Sequence, residues 1–342
     1  MTGEVQDTTD LFEHFRFRVD PGQTPLRIDK YLFNKVESTS RSRIQAAAHS
    51  GCILVNDTPV KPNYKVKPGD SISIVLPHPP RKLELKPENI PLKIIHEDEH
   101  VIVVNKEPGM VVHPGHGNYT GTLVNALMYH LRDHEFFSSG EERPGLVHRI
   151  DKNTSGLLVV AKSEMALHKL AYQFFHKTST RKYLALVWGD MEEEEGTITG
   201  YIGRNPKNRK LMYVFQEGDQ GKMGITHFRI LERFGYVTLV ECSLETGRTH
   251  QIRVHFQYKS HPLFNDPEYG GDRILKGTTF TKYRQFVENC FDLLPGQALH
   301  AGTLGFTHPA SGHKVHFEAP LPEGFETVLQ RWRRYITGRK EE

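Results

Sequence analysis

The sequence predicts an α+β protein made of two folded units, and three observations carry that expectation. The chain has 342 residues, more than one small core requires. A cluster of prolines interrupts it near residue 80. Beyond that cluster, strand-like and helix-like runs alternate to about residue 336.

The composition fits a folded chain, because 37% of its residues are hydrophobic and only 25% charged. No run approaches eighteen apolar residues, and Glu4, Asp7 and Asp10 stand where a secretory signal would be basic and then apolar. A cytoplasmic protein with no membrane association is expected. Cys52, Cys242 and Cys290 are odd in number and far apart, which suits neither a disulfide framework nor paired zinc ligands. A net charge of +3 does not by itself identify a nucleic-acid partner. Its distribution says more: residues 26–76 net +4 and the remainder −1.

Leu26, Ile28, Tyr31, Leu32 and Val36 recur at helical spacing, and a second helix is predicted from Arg41 through Ala48, stopped at Gly51. Cys52–Val55, a turn at Asn56-Asp57, and Ser71–Val75 after Pro68-Gly69-Asp70 predict short strands. Residues 1–23 match no pattern and are left unassigned. Pro79, Pro80, Pro87 and Pro91, interleaved with Arg81, Lys82 and Lys86, predict an extended linker over 78–91. Further on, Val101–Val104 and Leu157–Val160 predict strands, Glu164–His176 a helix, and Glu192–Glu195 an exposed turn.

The stretch "GLVHRIDKNTSGLLVVAKS", residues 145–163, sets His148-Arg149-Ile150-Asp151 before a polar turn and an apolar strand. Asp151 is thereby expected at the rim of a buried sheet. An isolated aspartate in such a turn usually satisfies backbone donors. Three further segments follow in order: "RKYLALVWG" at 181–189, "LETGRTHQIRVHF" at 244–256 and "LHAGTLGFTHPASG" at 299–312. The chain has no Walker loop, dinucleotide fingerprint or HExxH pair. The histidine pairs at 96/100, 113/116 and 250/255 lack the third ligand a metal site needs.

Taken in order, and with "KEPGMVVHPGHGN", "GTLVNAL" and "DPEYGG", these segments resemble the RluA family of pseudouridine synthases over about residues 92–318. Residues 24–77, with Arg41-x-Arg43, "GCILVN" and "VKPGDSISI", resemble the alpha-L RNA-binding motif. The combination is similar to the ribosomal large-subunit branch of the family. The resemblance implies a mixed, mainly antiparallel catalytic domain over 92–336, with 337–342 as a tail. It implies that uridines in structured RNA, large-subunit ribosomal RNA in particular, are isomerised by a monomer needing no cofactor, metal or nucleotide.

By the same resemblance Asp151 is the catalytic carboxylate, and Tyr183 stacks on the target base. Arg149 helps to open the RNA, and His148 serves as a hydrogen-bonding scaffold. A carboxylate in a partly desolvated pocket stays ionised beside a cation, and Arg248 is expected to be that cation. Arg253 is expected to contact RNA or to pack structurally, and His250-Gln251 to brace a strand carrying Arg248. Arg41, Arg43, Lys61 and Lys65 are expected to face RNA phosphates. Asn265 stands where the family commonly has glycine, and Ile150 where it has leucine. Two other readings compete: an RNA-binding ribosome-assembly factor without catalysis, and a base-releasing glycosylase, for which a second carboxylate is wanting.

Overall fold

The computed structural model describes residues 11–36, 39–77, 85–115, 117–138, 144–218 and 220–340. The chain divides into two compact units, residues 1–82 and 83–342. Half of the expected linker, 78–84, lies outside the described residues, as do Ser38 and His116.

In the first unit, helices Ile28–Lys35 and Arg41–His49 pack against an antiparallel sheet in the order Phe12–Arg18, Ser71–Leu76, Ile53–Val55, Thr58–Pro59. Ile28, Leu32, Ile44, Ile53, Val66 and Ile72 form its core. Asn56 and Asp57 turn the hairpin between Val55 and Thr58 with positive φ at both positions, the conformation a two-residue hairpin demands. The segment left unassigned, 1–23, contributes strand Phe12–Arg18 to this sheet. That strand is an edge, exposed at most positions, so it carries little hydrophobic signal.

The second unit is built on a ten-stranded, mainly antiparallel sheet. Along it run Met212–Phe215, Glu195–Arg204, Lys222–Arg233, Val237–Leu244, Thr180–Trp188, Leu299–Thr307, Ser155–Ala161, Val101–Lys106 and Ile94–Glu97, with Lys314–Glu318 pairing Leu299–Thr307 off this path. Leu299–Thr307 runs parallel to Ser155–Ala161, joined at His300–Ser155 and Ala301–Gly156. Gly156 has φ +113, and a Cβ there would collide with the Ala301 backbone, so only glycine permits the pair to close.

Helices cover both faces, which is why Ser155–Ala161 is buried at every position and reads as an unbroken apolar run. Leu158 and Val160 pack with Ile102, Val104, Tyr183, Ile252 and Phe256 on one face. Leu157 and Val159 pack with Ala166 and Leu170 of helix Glu164–Phe175 on the other. The "GTLVNAL" segment starts helix Leu123–His130, where Thr122 and Asn125 cap each other reciprocally. Asn125 also holds the Lys86 carbonyl and accepts the Glu88 amide at its own carbonyl, so residues 86–88 of the expected linker are part of the second unit. The last helix, Glu323–Lys340, runs through residues 337–340 of the expected tail.

Candidate active site

Asp151 sits in the loop that enters Ser155–Ala161, as its sequence context suggested. The Thr154 amide closes a turn onto the Asp151 carbonyl at 3.1 Å. Lys106, at the end of the neighbouring strand, is buried beneath that loop, and its ammonium donates to the carbonyls of Glu107, Met110 and Lys152 at 2.7, 2.8 and 2.9 Å. All three donors are thereby used to clamp the 107–110 turn to the 151–153 turn. Burial pulls the Lys106 ammonium down to about 7, against the raising influence of Asp151 and Glu107. At the base of the loop, Gln297 Nε2 reaches Thr154 Oγ1, and Ser155 Oγ shares a hydrogen bond with His300 Nδ1.

The cation beside Asp151 is Arg253, not Arg248. Arg253 Nη1 lies 3.2 Å from Asp151 Oδ2. The rest of its guanidinium grips Asp266 through two parallel bonds of 2.7 and 2.8 Å and meets Glu268 at 2.5 Å. Arg248 is exposed and turns its Nε to the Met223 carbonyl. The reason is local structure. "TGRTH" is a loop, and the chain turns into helix Gln251–Tyr258 immediately after it, carrying Arg253 inward and leaving Arg248 on the rim. Gln251 does brace Arg248, accepting its backbone amide at 3.0 Å, but from a helix and not a strand.

Tyr183, on strand Thr180–Trp188, is 6% exposed. Burial pushes its phenol up; nearby Arg181 works against that and the Asp151 charge adds to it, so the hydroxyl stays protonated within electrostatic reach of Asp151. Arg149 is exposed, two residues ahead of Asp151. His148 stacks on Phe174 and accepts the Val159 amide at 3.1 Å. Burial, helped by Arg181, holds it down to about 3, so it is a neutral brace. Ile150 is buried in the core beneath the loop. Asn265 adopts φ +59, which asparagine tolerates, and its amide donates to the carbonyls of Phe291 and Leu294.

In the first unit Arg43, Lys61 and Lys65 are exposed. Arg41 is different: its guanidinium bonds Asp29, a fully buried carboxylate that also receives Arg27 and Gln45. Arg41 therefore ties the start of the second helix to the first.

Sequence reasoning gave no site role to Lys106, Asp266, Glu268 or Tyr269, and it gave His250 only a bracing one. It also passed over a basic hairpin, since Arg204, Lys207, Arg209 and Lys210 cluster between strands Glu195–Arg204 and Met212–Phe215. The Met212 amide of that hairpin bonds the Tyr269 hydroxyl, which places it beside the Arg253 network.

Known proteins define the class. Residues 100–258 match the family model described as RNA pseudouridylate synthase, and residues 26–72 match the S4 domain. An uncharacterized RNA pseudouridine synthase of Chlorobaculum parvum is 48% identical over 317 residues, covering 92% of this chain and 96% of the relative. Ribosomal large subunit pseudouridine synthase D of Nitrosomonas europaea is 43% identical over 305 residues, 89% of this chain and 84% of the relative. The solved structure of human RNA pseudouridylate synthase domain containing 4 shares the fold, with TM-score 0.55 and 23% identity over 70% of this chain and 92% of that one. The chain belongs to the RNA pseudouridine synthases, isomerases that act on RNA. Within that class it is of the RluA type, with an S4 domain ahead of the catalytic one. Among the described residues no helix is long and apolar enough to cross a membrane.

Proposed function

We propose that this chain converts specific uridines of large-subunit ribosomal RNA to pseudouridine, with Asp151 as the reacting carboxylate. One observation carries the assignment. Of the three carboxylates on Arg253, Asp266 is fully buried with both oxygens bonded, and Glu268 lies toward solvent with its side chain 42% exposed. Asp151 is 19% exposed, held at Oδ2, and makes no hydrogen bond through Oδ1 among the described residues. Glu268 too is bonded through one oxygen, but of the two only Asp151 carries its unbonded oxygen on a side chain less than one-fifth exposed.

Uridine and pseudouridine are isomers. The C1′–N1 bond breaks, a C1′–C5 bond forms, the C5 proton departs and N1 gains one. Attack on the base, attack on the sugar and removal of the 2′ proton each begin from an ionised oxygen facing the nucleoside. Oδ1 supplies it, with Arg253 stabilising the charge at Oδ2. Tyr183 offers a flat apolar face for the base, and Arg149 is suited to occupy the space a flipped nucleotide leaves, a step costing a few kcal/mol. Arg43, Lys61 and Lys65 supply sequence-independent affinity for phosphates. Ribosomal large-subunit RNA is the substrate named for the Nitrosomonas europaea relative.

The test is Asp151→Asn. Pseudouridine formation is expected to disappear while RNA affinity stays within a few-fold. Product at the wild-type level would reject the role of Asp151. Release of free uracil by the wild type would favour a base-releasing glycosylase. Mapping pseudouridines in ribosomal RNA with and without the gene locates the target.

A further inference from the structure

His250 has a left-handed backbone for which the pseudouridine chemistry described above gives no reason. Its φ and ψ are 54° and 24°, a conformation a histidine adopts at a cost, and it caps the following helix with no side-chain bond. The conformation instead turns the imidazole inward. Nδ1 lies 2.9 Å from the Tyr269 hydroxyl and 3.8 Å from Glu268 Oε2, which Arg253 already holds, and Nε2 lies 3.9 Å from Asp151 Oδ1, the oxygen left free by Arg253.

The hydrogen bonds determine which nitrogen carries the proton. The Tyr269 hydroxyl already accepts the Met212 amide at 2.9 Å. Burial pushes that phenol up, so it keeps its proton and has one to donate. Its remaining partner is His250 Nδ1, which must therefore accept. Five titratable groups face the imidazole: Asp151, Glu268, Asp266, Arg253 and Tyr269. Burial lowers the imidazole, the Asp151 charge opposes this and Arg253 reinforces it, and the net direction is down. A neutral ring accepting at Nδ1 carries its hydrogen on Nε2, aimed at Asp151.

We infer that His250 is a positioning residue of the reaction: Tyr269 fixes it as the Nε2–H tautomer, and that N–H holds the oxygen of Asp151 that Arg253 leaves free. The gap of 3.9 Å exceeds a hydrogen bond. Closing it takes a shift of about 1 Å, of the kind that accompanies substrate binding and exclusion of water. Two donors on two oxygens fix the plane of the carboxylate, where Arg253 alone leaves it free to swing. The chain Met212, Tyr269, His250, Asp151 also links the basic hairpin to the reacting group.

This inference rests on the proposed reaction, and the experiment separates the two. Nitrogen NMR of the full chain labelled in histidine should show His250 neutral with its proton on Nε2; a proton on Nδ1 overturns the relay whatever the enzyme does. In single-turnover assays on a large-subunit ribosomal RNA transcript, His250→Asn keeps a side chain suited to the left-handed backbone but does not reach Asp151. The chemical rate should fall by about tenfold or more, with RNA affinity unchanged within about twofold. His250→Gln, whose amide reaches the Nε2 position, should recover part of the loss. Tyr269→Phe should slow the wild type more than it slows His250→Asn, because the two residues act through one chain. Unchanged chemical rates, additive losses, or a loss confined to affinity each overturn the proposal. If wild type makes no pseudouridine or Asp151→Asn remains active, the proposed function fails and takes the relay with it; if those controls hold, a failure belongs to His250 alone.

Discussion

Replacing Arg253 by methionine tests the central electrostatic claim, because an unbranched apolar stem is kept and the guanidinium removed. The structure sets the size of the effect. Arg253 serves three carboxylates, and Asp266 is left fully buried with only the Glu268 and Tyr269 amides for company. Removing one partner of a buried ion pair costs about 3 to 5 kcal/mol, since the other charge stays desolvated. For a domain of this size that lowers the unfolding midpoint by roughly 10 °C. Arg253→Lys keeps the charge but loses the fork, so about 1 to 3 kcal/mol is expected. Arg248→Ala, at an exposed position with one bond to a backbone carbonyl, should stay within about 0.5 kcal/mol. Urea and thermal unfolding read the stabilities, and single-turnover pseudouridine formation reads the chemistry. Equal stability of Arg253→Met and wild type would refute the reasoning. So would an Arg248→Ala enzyme whose chemical rate collapsed while that of Arg253→Lys did not.

Other outcomes follow from the same geometry. Gly156→Ala should cost about 2 to 4 kcal/mol, because φ is positive and the new methyl meets the Ala301 backbone; an unshifted melting midpoint contradicts this. Burial alone would raise the Asp29 carboxyl, yet bonds from Arg27, Gln45 and Arg41 outweigh it and hold it well below the usual carboxylate range. A depressed folded-state value means stability present above the unfolded value of roughly 3.9 and lost as pH falls below it. Acid unfolding of the first unit should therefore move to lower pH in wild type than in Asp29→Asn with its Arg27 and Arg41 left unpaired, measured by circular dichroism. Changing Arg43, Lys61 and Lys65 together to glutamine should reduce the salt slope of RNA binding by about 2 to 3, at roughly 0.9 per phosphate contact. An unaltered slope removes them from the RNA interface.

The fold class and the place of Asp151 were legible because they rest on local signals. An apolar run after a polar turn predicts a buried strand with a residue at its rim, and Ser155–Ala161 is that strand. The partner of Asp151 was not legible. Helix Gln251–Tyr258 is buried from Gln251 through Phe256, so it shows no polar-to-apolar alternation, and nothing in "TGRTHQIRVHF" says which arginine turns inward. Asp266 and Glu268, met in the sequence only as part of the "DPEYGG" segment, decide the matter by bonding Arg253. Arg41 likewise looked like a phosphate ligand until its buried partner, Asp29, was in view.

The parallel pairing of Ser155–Ala161 with Leu299–Thr307 has a consequence for synthesis. Ser155 waits for His300, 145 residues later, and Gln297 must arrive to hold Thr154. Contacts so distant along the chain form late. A nascent polypeptide therefore carries Asp151 on a loop clamped by Lys106 but without its braces from Gln297 and His300 until strand Leu299–Thr307 has been made.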